Sequence, residues 1–248
     1  HMLNRRHLRV KVLQALYSYH LSENKSVKSF EKNLLDSVDE VYEMYIWLLS
    51  LLIEVSDYTL TDAEERANKY LPKEEDLNVS LKLHENKFIV ALRENPEYLS
   101  AVKKYKVSWS FDPEIVKGIF TSLKNSEDYK QYLVQEDLSI RAEKDIIKYI
   151  FKKEILKSPA IEQIFEEKFI NWPVDKEVLQ ALVSKTFKNF QSENPHENKL
   201  AQLCPNWIED RQFIIELFTK TIAFDEEWQE MVSQKTKNWE AERIALIE

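Results

Sequence analysis

Glycine is nearly missing: Gly118 is the only one in 248 residues. Hairpin turns, bulges and phosphate-cradling loops need backbone at positive φ, which glycine adopts at little steric cost. A β-sandwich, a barrel, a dinucleotide-binding unit and a P-loop are thereby excluded, and an all-α fold is expected. Cysteine is equally scarce. A lone Cys204 precludes an intramolecular disulfide and any multi-cysteine metal centre. Long apolar runs are also lacking. The longest, Val41 to Val55, is interrupted by Glu43, Ser50 and Glu54. It falls short of the roughly 20 residues that span a bilayer, so it is expected to form a central core helix. With no signal-like segment ahead of the basic N-terminus, the protein is expected to be cytoplasmic, without membrane association. His1 before Met2 reads as a cloning remnant.

Residues that carry chemistry are thinly spread. His7, His20, His84 and His196 include no pair at the i, i+4 spacing of a helical metal site. Cys204 precedes Pro205 with His196 as the only nearby imidazole, and reads as an incidental thiol. The acid pairs Glu64-Glu65, Glu74-Glu75 and Glu226-Glu227 read as solvated helix faces. Neither a catalytic constellation nor a cofactor or metal site is expected, which points to a non-enzyme.

What is present is a large helical core and an uneven charge. Hydrophobic residues make up 44% of the chain and aromatics 12%, enough for burial to offset chain entropy. Net charge is −8, yet residues 1–11 hold Arg5, Arg6, Arg9 and Lys11 with no acid, so the remainder carries −12. A first helix is expected from Asn4, as N-cap, to Leu21, with Leu8, Val12, Leu13, Leu16 and Tyr17 as its apolar stripe. A second should span Ser26 to Val55. A third should run from Asp57 or Thr61 to Tyr70, before Leu71-Pro72.

Sliding the chain against itself reveals a repeat. With Trp109, Trp172 and Trp239 aligned, Phe88, Phe151 and Phe218 coincide, as do Leu92, Ile155 and Ile222. Tyr98, Ile161 and Trp228 also coincide, as do Val102, Phe165 and Val232, and Asp112, Asp175 and Glu242 follow each tryptophan. The expected unit is two helices, a tight turn at the tryptophan, and a third helix starting near the acid. The tryptophan is expected to anchor the core between non-parallel helices, in preference to forming an aromatic cage or base-stacking platform. Polar connectors are expected near Ser126 to Asp145 and Gln191 to Asp210.

Four cations in the first two turns oppose the field of a helix start by roughly a few tenths of a kcal/mol each. Helix stability does not explain them. An anionic partner would, because arginine binds phosphates bidentately and stacks on bases, and on charge alone so would a solvated basic end that merely aids solubility. The segment Arg5-Arg6-His7-Leu8-Arg9-Val10-Lys11-Val12-Leu13-Gln14-Ala15-Leu16-Tyr17 resembles the opening helix of NusB-family antitermination factors, an arginine cluster followed by V-Q-A-L-Y. Glu242-Arg243-Ile244-Ala245-Leu246 resembles the helix that begins the family's C-terminal half. Val10 and Lys11 depart from the acid and small residue common there, and the family's later asparagine-bearing segments have no counterpart.

The resemblance implies a NusB-like N-terminal region over 1–78, an inserted helical repeat region over 79–235, and the start of a C-terminal half over 236–248. It implies a truncated fragment that binds RNA poorly. In the family, the fold binds the boxA element of nascent ribosomal RNA beside NusE, a ribosomal small-subunit protein, within the RNA polymerase antitermination complex. Arg5, Arg6 and Arg9 then fall at RNA-contacting positions, with Lys11 and Gln14 as further candidate contacts. Tyr17 serves packing or a partner surface. The alternative is a helical-repeat scaffold for protein partners that binds no nucleic acid.

Overall fold

The computed structural model describes residues 4–247, with the side chains at positions 236, 239, 240 and 242–247 outside the description. Among the described residues every regular element is helical and no strand occurs, so the fold is all-α. Backbone at positive φ occurs once among them, at Lys106 (φ 53°), as the scarcity of glycine demands. None of these helices is long and apolar enough to cross a membrane.

The chain divides into two compact units, residues 40–203 and a second built from residues up to 39 together with those from 204 onward. The second unit contains helix α1 (Arg5–Leu21), the first part of α2 (Val27–Ala67) and α11 (Trp207–Ile247). Asn4 caps α1, its Oδ1 accepting from the His7 amide at 3.1 Å. Lys25 closes the other end, its Nζ donating to the carbonyls of Tyr19 (2.8 Å) and His20 (3.1 Å), where a cation suits the helix field. Leu8, Val12 and Tyr19 are buried, and the Tyr19 ring meets Phe30 and Phe218 edge-on.

The expected stripe on α1 was too wide. Leu13 and Tyr17 are exposed. At 3.6 residues per turn, Tyr17 lies about 180° around the helix from Leu8, whereas Tyr19 lies within about 20°. Chained steps of three and four had wandered across the helix.

In the larger unit the remainder of α2 is the axis. Val41, Met44, Tyr45, Ile46, Leu48, Leu49, Leu51, Leu52 and Val55 are buried, apolar on all sides as a central helix must be. The expected break near Ser56 does not occur. Ser56 Oγ donates to the Leu52 carbonyl at 2.8 Å and Thr59 Oγ1 to the Ser56 carbonyl at 2.7 Å, so these buried hydroxyls are satisfied without leaving the helix. Around it lie α3 (Glu74–Leu77), α4 (Lys87–Arg93), α5 (Pro96–Tyr105), α6 (Pro113–Lys124), α7 (Glu127–Val134), α8 (Ile140–Tyr149), α9 (Pro159–Lys168) and α10 (Trp172–Asn189). A π-helical segment, Ile150–Ile155, prolongs α8, and a 3-10 turn spans Pro195–Glu197. The first expected connector is thus itself partly helical, as α7.

Two copies of the repeat fold as expected. Phe88 and Leu92 lie on α4 and Tyr98 on α5, and Asp112 caps α6 by accepting from the Ile115 amide at 3.3 Å. Phe151 and Ile155 lie on the π segment, Ile161 and Phe165 on α9, and Asp175 in the first turn of α10. Trp109 and Trp172 are buried core anchors. The Trp109 indole N–H donates to the Trp47 carbonyl at 3.1 Å, and Trp172 packs on Phe165 with ring centroids 4.6 Å apart.

The third match does not form such a unit: Phe218, Ile222, Trp228 and Val232 share the unbroken helix α11. The cause is legible in the chain. Asn95-Pro96 and Ser158-Pro159 start α5 and α9, each cap accepting an amide three residues on (3.0 Å from Tyr98, 3.3 Å from Ile161). The aligned residues in the third stretch are Asp225-Glu226. Without the proline nothing removes an amide or clashes with the preceding turn, and the helix continues. The side chains of Trp239 and of Glu242–Leu246, which carry the remaining parts of the repeat and of the resemblance, lie outside the described residues.

Candidate nucleic-acid interface

In the smaller unit, α1 and α11 run side by side and parallel. Arg5 meets Asp210 at 3.6 Å near their starts, and His20 meets Asp225 at 3.3 Å fifteen residues later on each helix. The α1 face that packs inward carries Leu8, Val12 and Tyr19. The opposite face carries Arg6 at the N-terminal end and Leu13 and Tyr17 further along, and Arg9 lies between the two faces, about 60° around from Val12; all four are exposed.

The three arginines are held differently. Arg5 pairs with Asp210 and its guanidinium carbon sits 4.1 Å from the centre of the Phe213 ring. Arg9 reaches the same ring at 5.8 Å. Among the described residues neither Arg6 nor Arg9 forms an ion pair. Of the three guanidinium groups at the positive pole of α1, only that of Arg5 meets a carboxylate among the described residues, and no acid occupies the helix's first turn. An anion placed there would relieve their mutual repulsion and the helix field.

The remaining candidates separate. Lys11 is only 2% exposed and has an interaction within the protein, so its cation is not offered at this surface. It lies about 60° from Leu8 around the helix, on the packed side. Gln14 is half-buried, and Tyr17 is 68% exposed, which makes it a surface residue. Phe213 and Asp210 join the site from α11. They lie some two hundred residues from the arginines, and nothing local marks either of them.

Groups suited to chemistry are engaged structurally. Asp57 accepts from His84 Nδ1 at 2.9 Å and also pairs with Arg93, which donates to the His84 carbonyl at 3.2 Å. This clamp ties α2 to α4 and the segment before it. Burial, with a smaller contribution from Asp210, pushes the Cys204 thiol up to about 12, so it stays protonated at neutral pH. Among the described residues no group of three or more His, Cys, Asp or Glu side chains is placed to hold a metal ion. No protein-family model, curated protein or solved structure matches the chain.

Proposed function

We propose that the protein is a cytoplasmic, non-enzymatic factor that binds single-stranded RNA through the exposed face of α1, in the manner of a NusB-type antitermination factor. In this reading it acts on a boxA-like element of nascent ribosomal RNA, beside NusE, in the polymerase antitermination complex. The observation that carries it is the exposure of Arg6 and Arg9 without an ion-pair partner among the described residues, beside an Arg5 shared with one carboxylate. Phosphates satisfy such groups bidentately. Leu13 and Tyr17, continuing the same face, add an apolar and aromatic surface for an unstacked base or for NusE.

Fluorescence titration with boxA-like RNA tests the reading. Replacing Arg5, Arg6 and Arg9 together by alanine weakens binding. For about three lost phosphate contacts, the slope of log affinity against log salt falls by roughly 2. Unchanged affinity and slope reject the RNA role.

A second reading, a scaffold for protein partners, is favoured by another feature. Phe224, Trp228 and Met231 are exposed on α11, spaced so that they share one face. Partner recovery that survives the triple arginine substitution, with no RNA binding by the parent protein, selects the scaffold.

A further inference from the structure

The larger unit holds a charged feature that the RNA reading does not use. Between α8 with its π extension and α10 lies a cleft of about 1000 Å³. Its cations are Arg141, Lys144 and Lys148 on α8, Lys152 on the π segment, and Lys188 across the cleft on α10. On α8 they recur at steps of three and four residues, and so line one side of the helix. The carboxylates facing the cleft are Asp137 and Asp145. Asp137 is occupied by the Ser139 amide at 2.9 Å, and Asp145 meets Lys148 at 3.9 Å. Arg141, Lys152 and Lys188 form no ion pair among the described residues. Five cations against two carboxylates thus leave a net charge of +3 in a recess of a protein whose net charge is −8. A cleft walled by low-dielectric protein concentrates such a field.

Two details point the recess at an anion. Lys144 is 8% exposed and lines the cleft, and its Nζ donates to the carbonyls of Phe187 (2.9 Å) and Phe190 (2.8 Å). An ammonium has three hydrogens, so one donor remains, nine-tenths buried. The first turn of α8 also faces the cleft through Ile140, Arg141 and Ala142, and its positive pole adds to the field. The lining argues against recognition of a base. Its one aromatic residue, Phe187, is buried at 3% exposure and offers no stacking platform. Arg141 and Lys148 stand two turns apart, about 10 Å along the axis, which suits several linked phosphates better than one.

We propose that this cleft binds a compact polyphosphate, two or more linked phosphate groups whose attached organic part, if any, is not read. Lys144 and the first-turn amides of Ile140 and Arg141 form the floor, the Ala142 amide being taken by the Ser139 cap, and Arg141, Lys148, Lys152 and Lys188 form the walls. The proposal is independent of the α1 interface.

Isothermal titration of the full chain with sodium tripolyphosphate at low ionic strength provides the test, with ATP and sulfate as separate arms. Saturable binding is expected, similar for tripolyphosphate and ATP, and at least about tenfold weaker for sulfate, which engages fewer donors. Replacing Lys148 and Lys188 by glutamine should weaken tripolyphosphate at least about tenfold, while the Arg5, Arg6, Arg9 alanine variant should bind as the parent does. Independently of any variant, tripolyphosphate should protect Lys148 and Lys188 from acetylation in the parent protein. The proposal is overturned by absence of saturable binding, by sulfate binding equally tightly, by ATP alone binding, or by acetylation unaffected by the ligand. It is equally overturned if the arginine variant loses binding while the lysine variant keeps it, a result that leaves the α1 reading intact.

Discussion

Residues 87–124 and 140–189 each place helices around a buried tryptophan, whereas residues 207–247 form one helix that leaves part of the shared apolar pattern exposed. The three stretches share their apolar spacing. Phe88, Phe151 and Phe218 are all buried, as are Leu92, Ile155 and Ile222. Past that point they diverge: Tyr98 and Ile161 are buried, and Trp228 is 56% exposed. The difference teaches that hydrophobic spacing states what could be buried, while caps and prolines decide whether the chain turns back to bury it. Asn95-Pro96 and Ser158-Pro159 turn it, and Asp225-Glu226 lets it run on.

The largest effect expected from that contrast comes from truncating the aligned aromatic and aliphatic positions. Ile161→Ala should cost about 2–5 kcal/mol by removing a packed side chain, whereas Trp228→Ala should change stability by no more than about 0.5 kcal/mol. Urea unfolding monitored by circular dichroism separates them, and a large loss from Trp228→Ala would erase the distinction. Next in size, Glu226→Pro gives the third stretch the proline it lacks. Inside a continuous helix it should cost about 3 kcal/mol and reduce helical signal, and a neutral outcome would mean that the helix already breaks there. The smallest change sharpens the likeness of the first two copies. Gly118 in α6 aligns with Ala181 in α10, and a Cβ built at Gly118 meets nothing within 4 Å. Gly118→Ala should therefore stabilise by roughly 0.5–1 kcal/mol, read as a raised unfolding midpoint.

Much of the candidate interface was visible along the chain. The arginines, their lack of nearby acid and the Asn4 cap are local features, and α1 forms where they predict. What was not visible is which way each residue faces. Lys11 belongs to the same cationic cluster as Arg9, yet two residues' difference is about 200° of rotation, and it is buried. Tyr17 left the core by the same geometry. Phe213 and Asp210 enter the site only because α11 lies alongside α1. The cleft of Arg141, Lys144, Lys148 and Lys188 joins residues of two helices with α9 between them in the chain, and no window of sequence contains it.

By itself the sequence determined the helical class, because one glycine in 248 residues leaves little capacity for positive φ. It also determined the helix starts at Asn4, Asn95, Asp112 and Ser158, where a side-chain oxygen takes up amides three residues away. Tertiary structure alone decided which apolar residues are covered and which cations remain at the surface. Those outcomes depend on the angular position of a helix against neighbours distant in the chain, and burial energy accrues only where such a neighbour is present.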